Sequence, residues 1–540
     1  MDKKWLARKS SREIVETVAS DDRYEYDFHD LDRVQRRLKQ RHVQMIAIAG
    51  TIGTGLFLGS GNALQVAGPL GALIAYALVA TVAYATLCGI AEMTTWAPIS
   101  GTFPHYASRW VDPALGFAVG WNYFFANVTA VPVEINAAVI LMTFWDKDTS
   151  HAAIYTAIIA ISVCAINIFG VRYFGESEFF FSITKLLLII ILLISGLVLD
   201  LGGGPNHEVI GFKFWKHPGA VNRAHLVELA DADRFLAILS VIIQAAFSFQ
   251  GMELVCIAAS ETENPRRNIT KAVRRVFYRV VLFYMLGILM IGMLVSYDNP
   301  ALLSRVGTAA ESPFVIAMSS AGVKAFSHIV NAVILTSAFS AASSYLFCSS
   351  RVLYGLAIRG QAPKIFAYTT KKGLPIAAVL TASAFALLSF MNVSAGAETV
   401  FAWFVNMVTT GELLGWFTIN LTYVFFHRGM KAQGYQLTKN VYNNPLQPYL
   451  AYWGMGWTIF FILLSGYAVF FKFQTSSFLT AYINIPIFAA LYFGYKFMYK
   501  TWVWKPLEMD FVTGIPTVEE TELPEDPPIT VLEKVANVLF

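Results

Sequence analysis

Apolar positions along this chain gather into long blocks separated by short polar segments. A helix that crosses the hydrocarbon core of a bilayer needs about 20 mostly apolar residues. About twelve blocks meet that measure, at residues 43–66, 70–95, 114–144, 152–170, 179–199, 235–260, 276–296, 314–356, 376–391, 400–426, 449–471 and 478–499. The eighth is too long for one crossing and is expected to start along the interface. The pattern predicts an all-α integral membrane protein with about 12 transmembrane helices over residues 42–500. An N-terminal tail (1–41) and a C-terminal tail (501–540) flank it.

The polar segments fix an orientation, because short cytoplasmic loops carry an excess of Lys and Arg. Arg33, Arg36, Arg37, Lys39 and Arg41 precede span 1, and Arg266, Arg267, Lys271, Arg274, Arg275 and Arg279 follow span 6. Arg359, Lys364, Lys371 and Lys372 follow span 8, Arg428, Lys431 and Lys439 follow span 10, and Lys500 and Lys505 follow span 12. With twelve spans all of these fall on one face. The long 5–6 loop on the other face balances its bases with Glu208, Glu228, Asp231 and Asp233. Both termini are expected in the cytoplasm. Polar, charge-mixed tails such as 517–526 are expected to be solvated. Lys3, Lys4 and Lys9 offer places for trafficking or ubiquitination machinery to act.

Composition agrees: 56% of residues are hydrophobic, only 14% are charged, and the mean hydropathy is +0.53. A soluble domain carries about 25% charged residues. A net charge of +4 gives no reason to expect a nucleic-acid partner. Cys88, Cys164, Cys256 and Cys348 all lie within apolar runs and read as small buried hydrophobes. No HExxH, GxSxG or P-loop pattern occurs, so enzyme chemistry is not expected. No cofactor is expected either.

Two places break the helical pattern at mid-span. Span 1 holds Gly50-Thr51-Ile52-Gly53-Thr54-Gly55, followed by Gly59 and Gly61, and span 6 holds Ser248-Phe249-Gln250-Gly251-Met252-Glu253. Non-helical backbone at membrane depth survives where it lines a cavity or the protein interior. Spans 1 and 6 are five apart, the interval that an inverted repeat of five helices gives. Amide groups at a half-helix N-terminus near Gly53–Gly55 suit a carboxylate. Carbonyls at a half-helix C-terminus near Phe249 and Gln250 suit an ammonium. Together they describe a receptor for a zwitterion. Close packing of Gly55 and Gly59 against a neighbouring helix is the plainer reading. The site is preferred because both breaks coincide with the repeat. Phe249 stands where a ring can cover bound solute, and Trp403 and Trp416 are weaker candidates for the same part.

Ionisable groups within the spans cost about 2.5–3.5 kcal/mol each on insertion scales. Lys185 lies in span 5, Glu92 late in span 2, Glu134 in span 3, Glu253 in span 6 and Glu412 in span 10. Glu92 reads as an interfacial or paired group. The residues alone leave Lys185 open between a static ion pair and a group that takes up and releases a proton as access alternates.

The run Gly50-Thr51-Ile52-Gly53-Thr54-Gly55-Leu56-Phe57 resembles the span 1 signature of fungal amino acid permeases. So do Ser100-Gly101-Thr102-Phe103-Pro104-His105-Tyr106-Ala107, Val111-Asp112-Pro113-Ala114-Leu115-Gly116-Phe117 and Gly120-Trp121-Asn122-Tyr123. Phe249-Gln250-Gly251-Met252-Glu253-Leu254-Val255 and Asn264-Pro265-Arg266-Arg267 continue the likeness, in order, over about residues 41–499. The resemblance implies an amino acid/proton symporter of the amino acid–polyamine–organocation superfamily with a LeuT-like 5+5 fold and broken helices 1 and 6. It implies that Thr51, Ile52, Gly53, Thr54 and Gly55 hold the substrate carboxylate. Phe249, Gln250, Gly251 and Glu253 then attend the amino group, with Glu134 beside the site. It implies that Lys185 couples a proton, the one ion the transporter needs. Glu412 departs from the family, which usually has a small or apolar residue there, and Met252 stands in place of the commoner threonine. The carboxylate either favours cationic side chains or faces away.

The expected function is secondary active import of amino acids across the plasma membrane, driven by protons and with cationic side chains favoured. A substrate sensor that signals through its tails, an amino acid exchanger in an internal membrane and a polyamine transporter are the alternatives.

Overall fold

A computed structural model of the chain describes residues 51–522, apart from 170, 205–206, 304–311, 321, 323, 372 and 437–439, together with Leu38, Gln40, Val43 and Met45. The start of the first expected span and the lysines of the N-terminal tail lie outside the described residues. Among those described, the regular elements are all helical.

The principal helices are α1 (Ser60–Trp96), α2 (Thr102–Trp110), α3 (Pro113–Met142), α4 (Ala152–Ile168), α5 (Val171–Asp200), α6 (Ala230–Phe249), α7 (Pro265–Leu294), α8 (Lys324–Ile358), α9 (Ile376–Phe385), α10 (Ala397–Ala432), α11 (Tyr449–Leu464), α12 (Thr475–Tyr482) and α13 (Asn484–Tyr499). The first two expected spans meet within α1. The chain turns there at Gly68, which has φ 74°, and resumes at Pro69. The proline suits the first turn of the second arm because its missing N–H is not needed there.

Among the described residues eight helices are long and apolar enough to cross a membrane, or nine when the α12–α13 pair, bent by 41°, counts as one span. That is fewer than the twelve expected, although the described part of each expected span is largely helical. The count falls because α1 contains two arms, α4 has only 17 residues, and α10 does not qualify. The eighth expected span is divided into Pro313–Ser320 and α8, as its length suggested. Several helices also outrun their apolar blocks. Helix α5 begins at Val171 and α7 at Pro265, so polar first turns belong to the helices and not to loops.

The arrangement inverts the soluble pattern. Helix α3 lies at the centre, with 94% of its apolar window buried. Helix α5 turns Phe180, Leu187, Ile191, Ile194 and Val198 outward, and α4 does the same with Ile154, Ile158 and Ile161. The spacing of three, four and seven places each set on one helical face. Exposed apolar stripes of this kind are what a hydrocarbon surrounding requires. The interior instead gathers serines, threonines, asparagines and carboxylates. One such group is Asn392, whose amide reaches Asn136 Oδ1 and Thr156 Oγ1, both at 2.9 Å.

The end of the bundle that carries residues 359–375 is called here the basic face. The C-terminal segment is solvated only in part on this face: Val518, Glu519 and Glu520 of the expected stretch are exposed, while residues before them are bound. Residues 501–522 run across it as a strap. Arg109, fully buried in α2, donates to the Asp510 carbonyl at 2.7 Å, pairs with the Asp510 carboxylate at 3.1 Å, and reaches the Thr513 carbonyl. Trp96, Trp110 and Trp504 fix the same segment through their indole N–H groups. The far end folds into a helical turn, Val518–Thr521, with a capping box between Thr517 and Glu520. Arg266, at the start of α7, binds the Pro516 carbonyl at 2.6 Å and Thr521 Oγ1 at 2.5 Å, and its amide binds Glu522 Oε1 at 2.8 Å. A polar tail binds here because two buried arginines need acceptors, and hydropathy does not register that need. Residues 523–526 of the acidic stretch lie outside the described residues.

Removing one partner of a buried ion pair strands the other charge and costs about 3–5 kcal/mol. Asp510→Ala is therefore expected to lower the thermal midpoint of the detergent-solubilised protein clearly. Glu508→Gln is expected to leave it unchanged, since its Lys505 partner is 80% exposed. Thermal unfolding followed by a thiol-reactive dye compares the two; equal midpoints would show that the strap is not anchored through Arg109.

A candidate substrate site between two broken helices

The break ahead of α1 falls at Ile52–Gly53. A wide π-helical turn, Gly55–Gly59, then leads into the helix. The amides of Leu56 and Phe57 turn back to the Gly53 carbonyl at 3.2 and 3.4 Å. The carbonyls before the break are met from neighbouring helices. Ser337 of α8 donates to the Ile52 carbonyl at 3.3 Å, and the Tyr284 hydroxyl of α7 lies 2.7 Å from the Thr51 carbonyl. Thr54 donates to Glu134 Oε1 of α3 at 2.9 Å.

The second break ends α6. Gln250 is extended (φ −60°, ψ 154°) and Gly251 adopts φ 82°, a left-handed conformation that glycine accepts without a side-chain clash. The chain then turns through Gly251–Glu253 into a single helical turn, Leu254–Ile257. Tyr284 meets this break as well, with its hydroxyl 2.6 Å from the Ser248 carbonyl. One phenol therefore spans both interrupted helices. Phe249 stacks on the Tyr284 ring at 4.7 Å and tilts against Tyr76 at 6.2 Å, and the Tyr76 hydroxyl lies 3.0 Å from Ser248 Oγ.

Glycine roles divide between the two readings. A Cβ at Gly55 would lie 2.6 Å from Ser248 Cα, so Gly55 is a packing residue that lets the two broken segments touch. At Gly53 the nearest atoms to such a Cβ are Ala341 Cβ at 3.6 Å and Glu134 Oε1 at 3.9 Å, so this position has room and faces a carboxylate.

The expected site residues thus fall into three adjoining groups. Thr51, Ile52, Gly53, Thr54, Glu134 and Phe249 come together around Tyr284 and Ser337. Glu253 and Glu412 form a second group on neighbouring residues of α3. Glu253 Oε1 accepts from the Tyr123 hydroxyl at 2.8 Å, and Glu412 Oε1 accepts from Asn127 Nδ2 at 3.0 Å. Tyr123 and Asn127 are one helical turn apart, and Asn127 Nδ2 also reaches the Tyr123 carbonyl. Glu412 therefore faces the interior. Its Oε2, like Glu134 Oε2 and both polar ends of the Gln250 side chain, is buried with no hydrogen-bond partner among the described residues. Tyr345 of α8 joins the two groups, within electrostatic reach of Glu134, Glu253 and Glu412. Lys185 forms the third group on α5, fully buried and within electrostatic reach of Glu134 and Glu178.

Buried acceptors left unsatisfied are costly, and a ligand with several N–H donors would complete them. Glu92 lies apart. It accepts from Tyr423 and, at 2.8 Å, from the Asn444 amide, and so anchors the loop after α10. Trp416 is buried near Glu253, whereas Trp403 lies partly exposed. Sequence reasoning missed Tyr284, Tyr123, Asn127, Ser340 and Glu178. Glu178 was detectable as a charge beside an apolar block, but the tyrosines carry no such mark.

The model of the family described as amino acid permease matches residues 42–507. A dicarboxylic amino acid permease of Saccharomyces cerevisiae is 40% identical, over 89% of this chain and 80% of its own length. A proline-specific permease of Emericella nidulans is 42% identical over 89% and 88%, and a lysine-specific permease of Saccharomyces cerevisiae is 36% identical over 96% and 85%. Relatives named for an acidic, an imino and a basic amino acid differ little in identity, so the pocket's own side chains must set the substrate. The chain belongs to the amino acid permease family within the amino acid–polyamine–organocation superfamily, a multi-pass membrane transporter of LeuT-like fold that carries amino acids.

Proposed function

We propose that this permease imports amino acids by proton symport across the plasma membrane, with both termini in the cytoplasm and cationic side chains favoured. The observation that carries the coupling is the Thr54–Glu134 hydrogen bond, with Lys185 beside it. A carboxylate tied to the broken segment and a fully buried lysine on α5 respond to each other's charge. A proton added to or removed from Lys185 therefore changes the field at Glu134. Through Thr54 that change reaches the backbone proposed to bind the substrate carboxylate. Phe249, stacked on Tyr284, covers the pocket. Its movement off that ring would open the way to the amino-group end at Gln250, Gly251 and Glu253.

The unpartnered Oε2 of Glu412 supports the side-chain preference. A carboxylate in the dry interior attracts an ammonium or guanidinium more strongly than water would allow.

Lys185→Ala is expected to abolish uphill accumulation while counterflow exchange continues. Uptake of a labelled amino acid panel by permease-deficient cells, with and without a protonophore, measures both, and protonophore-sensitive accumulation by the variant would refute the coupling role. Glu412→Gln is expected to weaken arginine and lysine about tenfold, roughly 1.4 kcal/mol, relative to neutral amino acids. An unchanged competition profile would remove the charge preference and leave transport itself in place.

A further inference from the structure

We propose that Glu178 relays the coupling proton between Lys185 and the basic face, an inference that rests on the coupling role proposed for Lys185. Glu178 and Lys185 lie seven residues apart on α5, two turns on one face of the same helix. Helical side chains lean toward the N-terminus, so the long Lys185 side chain extends back toward the turn that carries Glu178. Each responds to the charge of the other. Glu178 is fully buried, its Oε2 accepts from Ser340 Oγ of α8 at 2.6 Å, and its Oε1 has no hydrogen-bond partner among the described residues. A carboxylate that served only to hold Ser340 would be an expensive anchor at this depth.

The order along the membrane gives the relay a direction. Helices α3 and α5 both start at the basic face. Glu134 lies late in α3, Lys185 mid-way along α5, and Glu178 in its first turns. On α5 Glu178 thus stands seven residues nearer the basic face than Lys185. In the step proposed, the Lys185 ammonium gives one proton to the Glu178 carboxylate, leaving a neutral amine and a neutral acid. Glu178 then releases that proton to water at the basic face. The groups that act on this step are Glu134 from α3, Ser340 and Ser344 from α8, and Lys185 and Glu178 from α5.

Helix α8 ties the relay to the substrate site. Ser337, three residues before Ser340, donates to the Ile52 carbonyl at the first break. A shift of the broken segment that pulls on Ser337 moves the residue holding Glu178.

The test is Glu178→Gln, with Glu178→Asp as its conservative partner, in vesicles reconstituted from purified protein. Labelled lysine, proline and glutamate serve as substrates, and a pH-sensitive dye reports protons moved. The Gln variant is expected to exchange amino acid within about twofold of the unchanged protein. Its accumulation ratio should fall at least about tenfold, a loss of about 1.4 kcal/mol in driving force, and its rate should lose its dependence on the pH of the compartment that the basic face meets. The Asp variant should recover part of both. Accumulation with an unaltered pH profile in Glu178→Gln overturns the relay, and so does parallel loss of exchange and accumulation, which marks a structural role. A Lys185→Ala variant measured alongside separates the two proposals. If it is uncoupled while Glu178→Gln is not, only the relay fails; if it still accumulates, the coupling reading itself is wrong.

Discussion

Backbone hydrogen bonding in a medium without water constrains this structure more than any other factor. Hydrocarbon offers no partner to an open N–H or C=O, so a helix interrupted at mid-depth must find partners inside the protein. The two breaks here find them in the same place. The Tyr284 hydroxyl shares its one proton between the Thr51 carbonyl ahead of α1 and the Ser248 carbonyl near the end of α6, while Ser337 donates to Ile52. Because one phenol meets both segments, a displacement of either is felt by the other. Gly55 presses the two together at the same level, with no space for a side chain against Ser248.

That constraint explains which features were legible in the sequence. Breaks at membrane depth need glycine, so Gly53 and Gly251 mark the two breaks in the sequence itself. Charges in apolar blocks are rare enough to notice, so Glu134, Lys185, Glu253 and Glu412 stood out, and all four face the interior. The partners that satisfy the breaks had no such signal. Tyr284 is one of 24 tyrosines, and its position over two carbonyls is a product of how α7 packs. Gly55 was read with Gly53 as part of one binding motif. Neighbouring glycines in a broken helix point in different directions, so Gly53 faces Ala341 and Glu134 while Gly55 seals a contact with Ser248.

Apolar-block reasoning also fails at the ends of helices. A window that seeks about 20 apolar residues stops at the first charge, whereas a helix continues as long as its polar residues reach water or a partner. Glu178 was set outside span 5 for this reason, yet α5 begins seven residues before it. The C-terminal strap is the converse case. Its polar composition suggested solvation, but Arg109 and Arg266 are buried and supply the donors that its carbonyls require.

The strap lies at the end of the bundle toward which the proposed relay leads, and the contacts there reach the second break. The segment that joins the second break to α7 is held from two directions. The Leu38 amide and carbonyl pair with Glu261 and Glu263 at 2.8 and 2.9 Å, and the strap holds Arg266. Within the bundle the buried Arg351 of α8 pairs with Glu261 at 2.7 Å. An opening toward this face that carried the end of span 6 away from α8 would break that ion pair. Breaking a buried ion pair is costly unless water replaces the lost partner. The face must therefore hydrate as it opens, and water arriving there is also what a proton leaving Glu178 requires. Under the coupling proposed above, substrate release and proton release would share one structural condition, entry of water at the basic face, without any direct contact between the solute and Glu178.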